Sequence, residues 1–147
     1  SSDVCSSDLP IGSNTSELIE TLLRAGYVPV IACIGASKDG RLFNVNADTL
    51  AGALAAQLKA KRLVIAGATP GVLDKRNETI AKLDADRIDK LVKSGTANAG
   101  MVAKLAACQA ALQGGTKNVA IVDGRTPARL VKALLGQKTS ATTVIRD

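Results

Sequence analysis

What most limits the fold of this chain is an alternation along its length. Short apolar runs at residues 27–34, 63–66, 118–122 and 142–145 are separated by stretches with helical spacing. An apolar run of four to eight residues, rich in β-branched side chains, suits a strand buried on both faces of a parallel sheet. Between the runs, Leu18, Ile19, Leu22 and Leu23 share one helical face, and Leu50, Ala53, Leu54 and Leu58 share another. Strand and helix in regular alternation predict an α/β fold: a mainly parallel sheet between helical layers, a three-layer αβα sandwich. No linker divides residues 10–147, which read as one domain or part of one.

Local signals place the boundaries. A helix over residues 14–25 stops at Gly26. Asp39-Gly40 is a strong turn pair, so residues 41–45 return as the second strand of a hairpin, a small flap over the sheet near Leu42. A helix follows over residues 49–60. Residues 75–78 form a second hairpin-like excursion, Asp84 caps a helix over 85–93, and a further helix covers 101–112. Pro127 opens a last helix ending at Leu135, since proline favours the first helical position.

Composition narrows the chemistry. The chain has no histidine, so histidine catalysis and most zinc sites are excluded. Tyr27 and Phe43 are its only aromatic residues, too few for base stacking on single-stranded nucleic acid. The net charge of +6 suits an anionic substrate, but the cations are scattered and read as solvated surface rather than a nucleic-acid patch. No apolar run has the length to span a bilayer, so no membrane association is expected. Cys5, Cys33 and Cys108 lack metal-ligand spacing; Cys33, in a strand run, and Cys108, in an apolar helix, read as free, buried thiols, consistent with a cytoplasmic protein.

Residues 1–9 contain Ser-Ser-Asp twice, five residues apart. They resemble the translation of a sequencing adapter and are expected to be a non-native tail. With no basic or apolar region they are not a signal peptide.

Three places could carry chemistry. Asn44, Asn46 and Asp48 stand at every second position where a strand ends and a helix begins. Amide donors beside a helix N-terminus favour an anionic ligand. Asn and Asp are also ordinary N-cap residues, and both readings stay open. The loop at residues 67–71 leaves backbone N–H groups at the carboxyl end of a strand, where open α/β sheets bind ligands, although a plain turn would look similar. Lys104 lies near a helix start, where the macrodipole disfavours a cation, so either it has a task or it snorkels to the surface.

Taken together, five segments resemble the amino-acid kinase family. They are Gly26-Tyr-Val-Pro-Val-Ile-Ala, Phe43-Asn-Val-Asn-Ala-Asp-Thr49, Pro70-Gly-Val-Leu-Asp74, Gly100-Met-Val-Ala-Lys104 and Val122-Asp-Gly-Arg125. The resemblance is to the C-terminal, nucleotide-binding part of that family's carbamate kinase-like domain, in the branch acting on N-acetyl-L-glutamate. It implies transfer of the γ-phosphoryl of ATP, with Mg²⁺, to the side-chain carboxylate of N-acetyl-L-glutamate in arginine biosynthesis. It implies that Asn44 holds the α-carboxylate, with Asn46 in support. Asp48 would position the catalytic lysines, and Lys104 would neutralise charge on the moving phosphoryl group. Ala68, Thr69, Pro70, Gly71, Val72 and Leu73, with Thr96, Ala97 and Asn98, would contact ATP. No protein metal ligand is implied, and the parent protein would be a homo-oligomer.

The chain departs from the family in two ways. Gly67-Ala68 stands where members carry a Thr/Ser-Asp pair. The family's Gly-rich phosphate loop with its lysine, Gly-Gly substrate loop and substrate-binding arginine have no counterpart here, so the chain is expected to be a fragment inactive alone. Another kinase of the family, or a nucleotide-binding module without catalysis, are the alternatives.

Overall fold

The computed structural model describes residues 13–146. The expectations for residues 1–9, Cys5 included, lie outside that range. Helix α1 (Ser13–Arg24) leads to a hairpin of β1 (Ile34–Ala36) and β2 (Leu42–Asn44). There follow α2 (Ala47–Gln57), β3 (Arg62–Gly67), β4 (Lys82–Leu83), α3 (Ala85–Lys93) and α4 (Ala99–Gln113). The chain closes with β5 (Asn118–Asp123), α5 (Pro127–Leu135) and β6 (Ala141–Val144).

The main sheet has the order β3-β5-β6-β4. Strand β3 is parallel to β5, with Leu63 opposite Val119 and Ile65 opposite Ile121. Strand β6 is antiparallel to β5 and parallel to β4. The carboxyl ends of β3 and β5 therefore share one edge with the start of β6.

Side chains alternate across the sheet, which sorts the layers. Ile65, Val119 and Ile121 pack with Ala55, Ile88, Leu105, Cys108 and Leu112 from α2, α3 and α4 in one core. Helix α5 packs on β3 and β5 from the other side, burying Ala133. The expected αβα layering is present. The helix starts are set by caps: Asn46, Asp84 and Asn98 each accept a bond from a first-turn N–H, and Pro127 opens α5.

One expected strand did not form. Residues 27–33 belong to no strand, and the run is exposed instead of buried, with Val30 96% accessible. No strand pairs with this segment among the described residues, so its backbone lacks the neighbour that would draw it into a sheet. Cys33 is accordingly only partly buried, whereas Cys108 is fully buried; both thiols are free. The hairpin is a separate two-stranded sheet whose Leu42 is exposed, so it does not act as the flap expected. Helix α2 begins two residues earlier than expected because Asn46, not Asp48, is its cap. Among the described residues, no helix is long and apolar enough to cross a membrane.

Candidate active site

The site begins with a glycine. A Cβ on Gly52 would lie 2.6 Å from the Ala107 carbonyl oxygen, so α2 and α4 touch backbone to backbone there. Further along, Gly114 lies against Ala56, and Thr116 Oγ1 donates to the Ala55 carbonyl at 3.2 Å. The helices thus run side by side in the same direction. Their N-termini converge beside the carboxyl ends of β3 and β5.

One turn before the Gly52 contact, Asp48 and Lys104 meet. Lys104 Nζ donates to Asp48 Oδ1 at 3.0 Å and Oδ2 at 2.8 Å. Their side chains are 18% and 23% exposed, Asp48 the less so. The carboxylate sits in the first turn of α2, where the macrodipole favours it. That charge offsets what is unfavourable for a lysine in the early part of α4. Behind the pair is Cys108, one turn on from Lys104. Burial, reinforced by the Asp48 charge and opposed by Lys104, pushes its thiol up to about 12, so it stays protonated.

Strand β3 delivers its last residue to the same place. A Cβ on Gly67 would come within 3.9 Å of Lys104 Cε and 3.8 Å of the Val122 carbonyl oxygen, an ordinary fit. The loop after it is anchored from beneath. Buried Thr142, on β6, accepts a bond from Val72 N–H at 2.7 Å and donates to the Ile80 carbonyl at 2.7 Å. A Cβ on Gly71 would strike the Thr142 hydroxyl at 2.5 Å, so only glycine fits there. The excursion at residues 75–78 forms the expected turn: Asp74 N–H donates to the Glu78 carbonyl, and Asp74 Oδ1 accepts from the N–H groups of Arg76 and Glu78.

The expected ATP segments come together. Thr69, Val72 and Leu73 line a cleft of about 210 Å³ opposite Thr96, Ala97 and Asn98. Met101 also lines it, one turn before Lys104, so α4 runs from cleft to ion pair. Ala68, Pro70 and Gly71 do not line the cleft: Ala68 is exposed and Gly71 is buried against Thr142. A wider hollow of about 420 Å³ adjoins through Asp74 and Thr96. Asn46 Oδ1 accepts from Thr49 N–H at 3.0 Å, so this residue caps α2 and leaves its amide N–H₂ to donate. Asn44 ends β2 and is exposed. Among the described residues there is no group of three or more Asp, Glu or Cys that could hold a metal ion.

One more cluster stands at this edge, in a segment to which the sequence assigned no role. Asp123, the buried last residue of β5, is bound by Arg125 through Nε at 2.9 Å, Nη2 at 3.0 Å and the backbone N–H at 3.0 Å. Arg129 Nη1 stands 3.7 Å from Asp123 Oδ2, the oxygen that Arg125 Nη2 also reaches. The Arg125 side-chain bonds, then its backbone bond, hold the Asp123 carboxyl down at about 2. In the sequence Val122-Asp-Gly-Arg125 is one of the five family segments, but nothing local to it shows that the carboxylate is buried under the arginine.

Known proteins share the sequence and the fold of this chain. Acetylglutamate kinases are 37% identical over 128 residues (Bartonella tribocorum), 40% over 134 (Solidesulfovibrio magneticus) and 41% over 127 (Nitrobacter hamburgensis). These matches cover 87%, 91% and 86% of the chain, but 42%, 45% and 43% of the relatives, so the chain spans less than half their length. In fold it is similar to the N-acetylglutamate synthase of Neisseria gonorrhoeae, with a TM-score of 0.80 at 23% identity, over 90% of this chain and 31% of that one. It is also similar to Giardia lamblia carbamate kinase bound to AMP-PNP, with a TM-score of 0.70 at 22% identity, over 90% and 44%. Residues 1–123 match the amino acid kinase family. With two parallel helix starts, a lysine and a glycine loop gathered at one sheet edge, and with that match over most of its length, the chain belongs to the amino acid kinase family.

Proposed function

We propose that the chain is the nucleotide-binding part of an enzyme that transfers the γ-phosphoryl of ATP to the side-chain carboxylate of N-acetyl-L-glutamate, a step of arginine biosynthesis. The observation that carries this reading is the Lys104–Asp48 pair at the meeting of two helix N-termini, beside Gly67. Phosphoryl transfer asks little covalent chemistry of a protein; it needs positioning and well-placed positive charge. Lys104, held by Asp48, meets charge growing on the moving phosphoryl group. Asn44 and the free amide of Asn46 receive the α-carboxylate at the start of α2, where the dipole favours an anion. The cleft between residues 69–73 and 96–98 takes ATP, largely through backbone groups. Mg²⁺ arrives on the nucleotide's own phosphates. Turnover belongs to a longer protein, since relatives have over twice the matched length; on the family resemblance alone, that protein is a homo-oligomer. The free thiols fit a reducing cytoplasm.

The test is an acceptor panel on a longer protein carrying this chain. N-acetyl-L-glutamate should turn over fastest; faster turnover of aspartate, glutamate or carbamate would sink the substrate assignment. A second reading, a nucleotide-binding module without catalysis, is favoured by Gly67-Ala68, which offers no hydroxyl or carboxylate beside Lys104. Lys104→Ala separates the two: a kinase loses about 10²–10³ in kcat, as when a transition-state donor is removed, whereas a module keeps its affinity and has no kcat to lose.

A further inference from the structure

Lys104 is one cation, its charge partly offset by Asp48, whereas a nucleotide triphosphate carries several negative charges. The same sheet edge carries a second set of cations. Arg125 grips Asp123 through Nε and Nη2 at once, which fixes the plane of the guanidinium. Yet the Arg125 side chain is 67% exposed while that of Asp123 is 7% exposed. The guanidinium is therefore aimed without being covered, and its Nη1 group stands outside the grip.

The turn bearing Arg125 is fastened to the start of the candidate ATP loop at residues 67–71. Gly124 N–H donates to the Gly67 carbonyl at 2.9 Å, and a Cβ on Gly124 would lie 2.8 Å from that of Ala66. Gly67 in turn lies beside Lys104 Cε. One glycine thus joins the lysine on α4 to the arginine after β5. Burying a carboxylate at a strand end is costly, and an apolar side chain would serve packing better. The acid is explained if the guanidinium has to be held in one orientation.

We propose that Arg125, oriented by Asp123, binds the terminal phosphates of the nucleotide alongside Lys104. Asp123 is then a positioning residue. The inference rests on the nucleotide-binding reading above and adds a residue to it.

The experiment is titration of a longer protein carrying this chain with Mg·ATP and with AMP by calorimetry, for the unaltered protein and three variants. Arg125→Ala should weaken ATP by about tenfold or more, the scale of one charge-assisted contact, and leave AMP within about twofold. Arg125→Lys should recover part of the loss, since it restores the charge but not the two-pronged grip. Asp123→Asn should weaken ATP in the same sense with AMP unchanged. Unchanged ATP affinity in Arg125→Ala overturns the inference and leaves the nucleotide reading intact. Equal losses for ATP and AMP reduce the pair to a structural role and also overturn it. An unaltered protein that binds no ATP overturns both.

Discussion

Gly52 and Ala107 touch through their backbones, and the Asp48–Lys104 pair one turn away depends on that closeness. Gly52→Ala would set a methyl group 2.6 Å from a carbonyl oxygen that cannot swing aside. We expect a loss of about 1–3 kcal/mol, the usual cost of overpacking, read from urea denaturation. A variant as stable as the parent would mean that the helices can separate freely.

Removing either member of the Asp48–Lys104 pair strands a largely buried charge. Lys104→Met or Asp48→Leu alone should cost about 2–4 kcal/mol, and the double variant should recover much of that loss. A double-mutant cycle measures this directly. Additive losses would show that the two charges do not interact.

Thr142 joins β6 to the loop through a hydroxyl used twice. Thr142→Val keeps the shape but leaves the Val72 N–H and Ile80 carbonyl without that partner, at a cost of about 1–3 kcal/mol. Thermal unfolding of the variant checks this, and an unchanged midpoint would mean water replaces the hydroxyl.

Asp123 gives the fold a signature in acid. Its carboxyl falls from the usual 3.8 to about 2 in the folded chain, so the folded state favours the ionised form. The resulting stability is fully present above about pH 4 and lost as the pH drops toward 2. Comparing the acid-unfolding profiles of the parent and Asp123→Asn isolates this group: the variant should be less stable above pH 4, and the gap should close below it. A gap of constant size would assign the effect to packing.

The sequence carried much of this, unevenly. The caps at Asp84 and the proline at 127 were legible because a helix start needs only a few adjacent residues. At Asn46 the two competing readings are compatible in one side chain: its oxygen caps α2, which leaves its amide N–H₂ to donate. That Lys104 sat oddly in its helix was legible from the dipole alone. Its partner was legible only through the family resemblance, which sets Asp48 to position the lysines; local spacing is silent, because 56 residues separate the two and the contact of α2 with α4 joins them. Strand β4, two residues long, has no periodicity to detect. The direction of β6 is likewise absent from composition. Residues 27–34 went wrong for another reason: an apolar run states that something should cover it, but does not name what.

That uncovered run has a consequence for how molecules of this chain meet in solution. Tyr27, Val28, Val30 and Ile34 present an oily, strand-prone surface, while the +6 charge keeps copies apart. Salt shortens the reach of that repulsion to about 10 Å at 0.1 M and leaves the apolar attraction in place. The chain should therefore be best behaved in dilute buffer, and cohesion between copies should grow as ions are added.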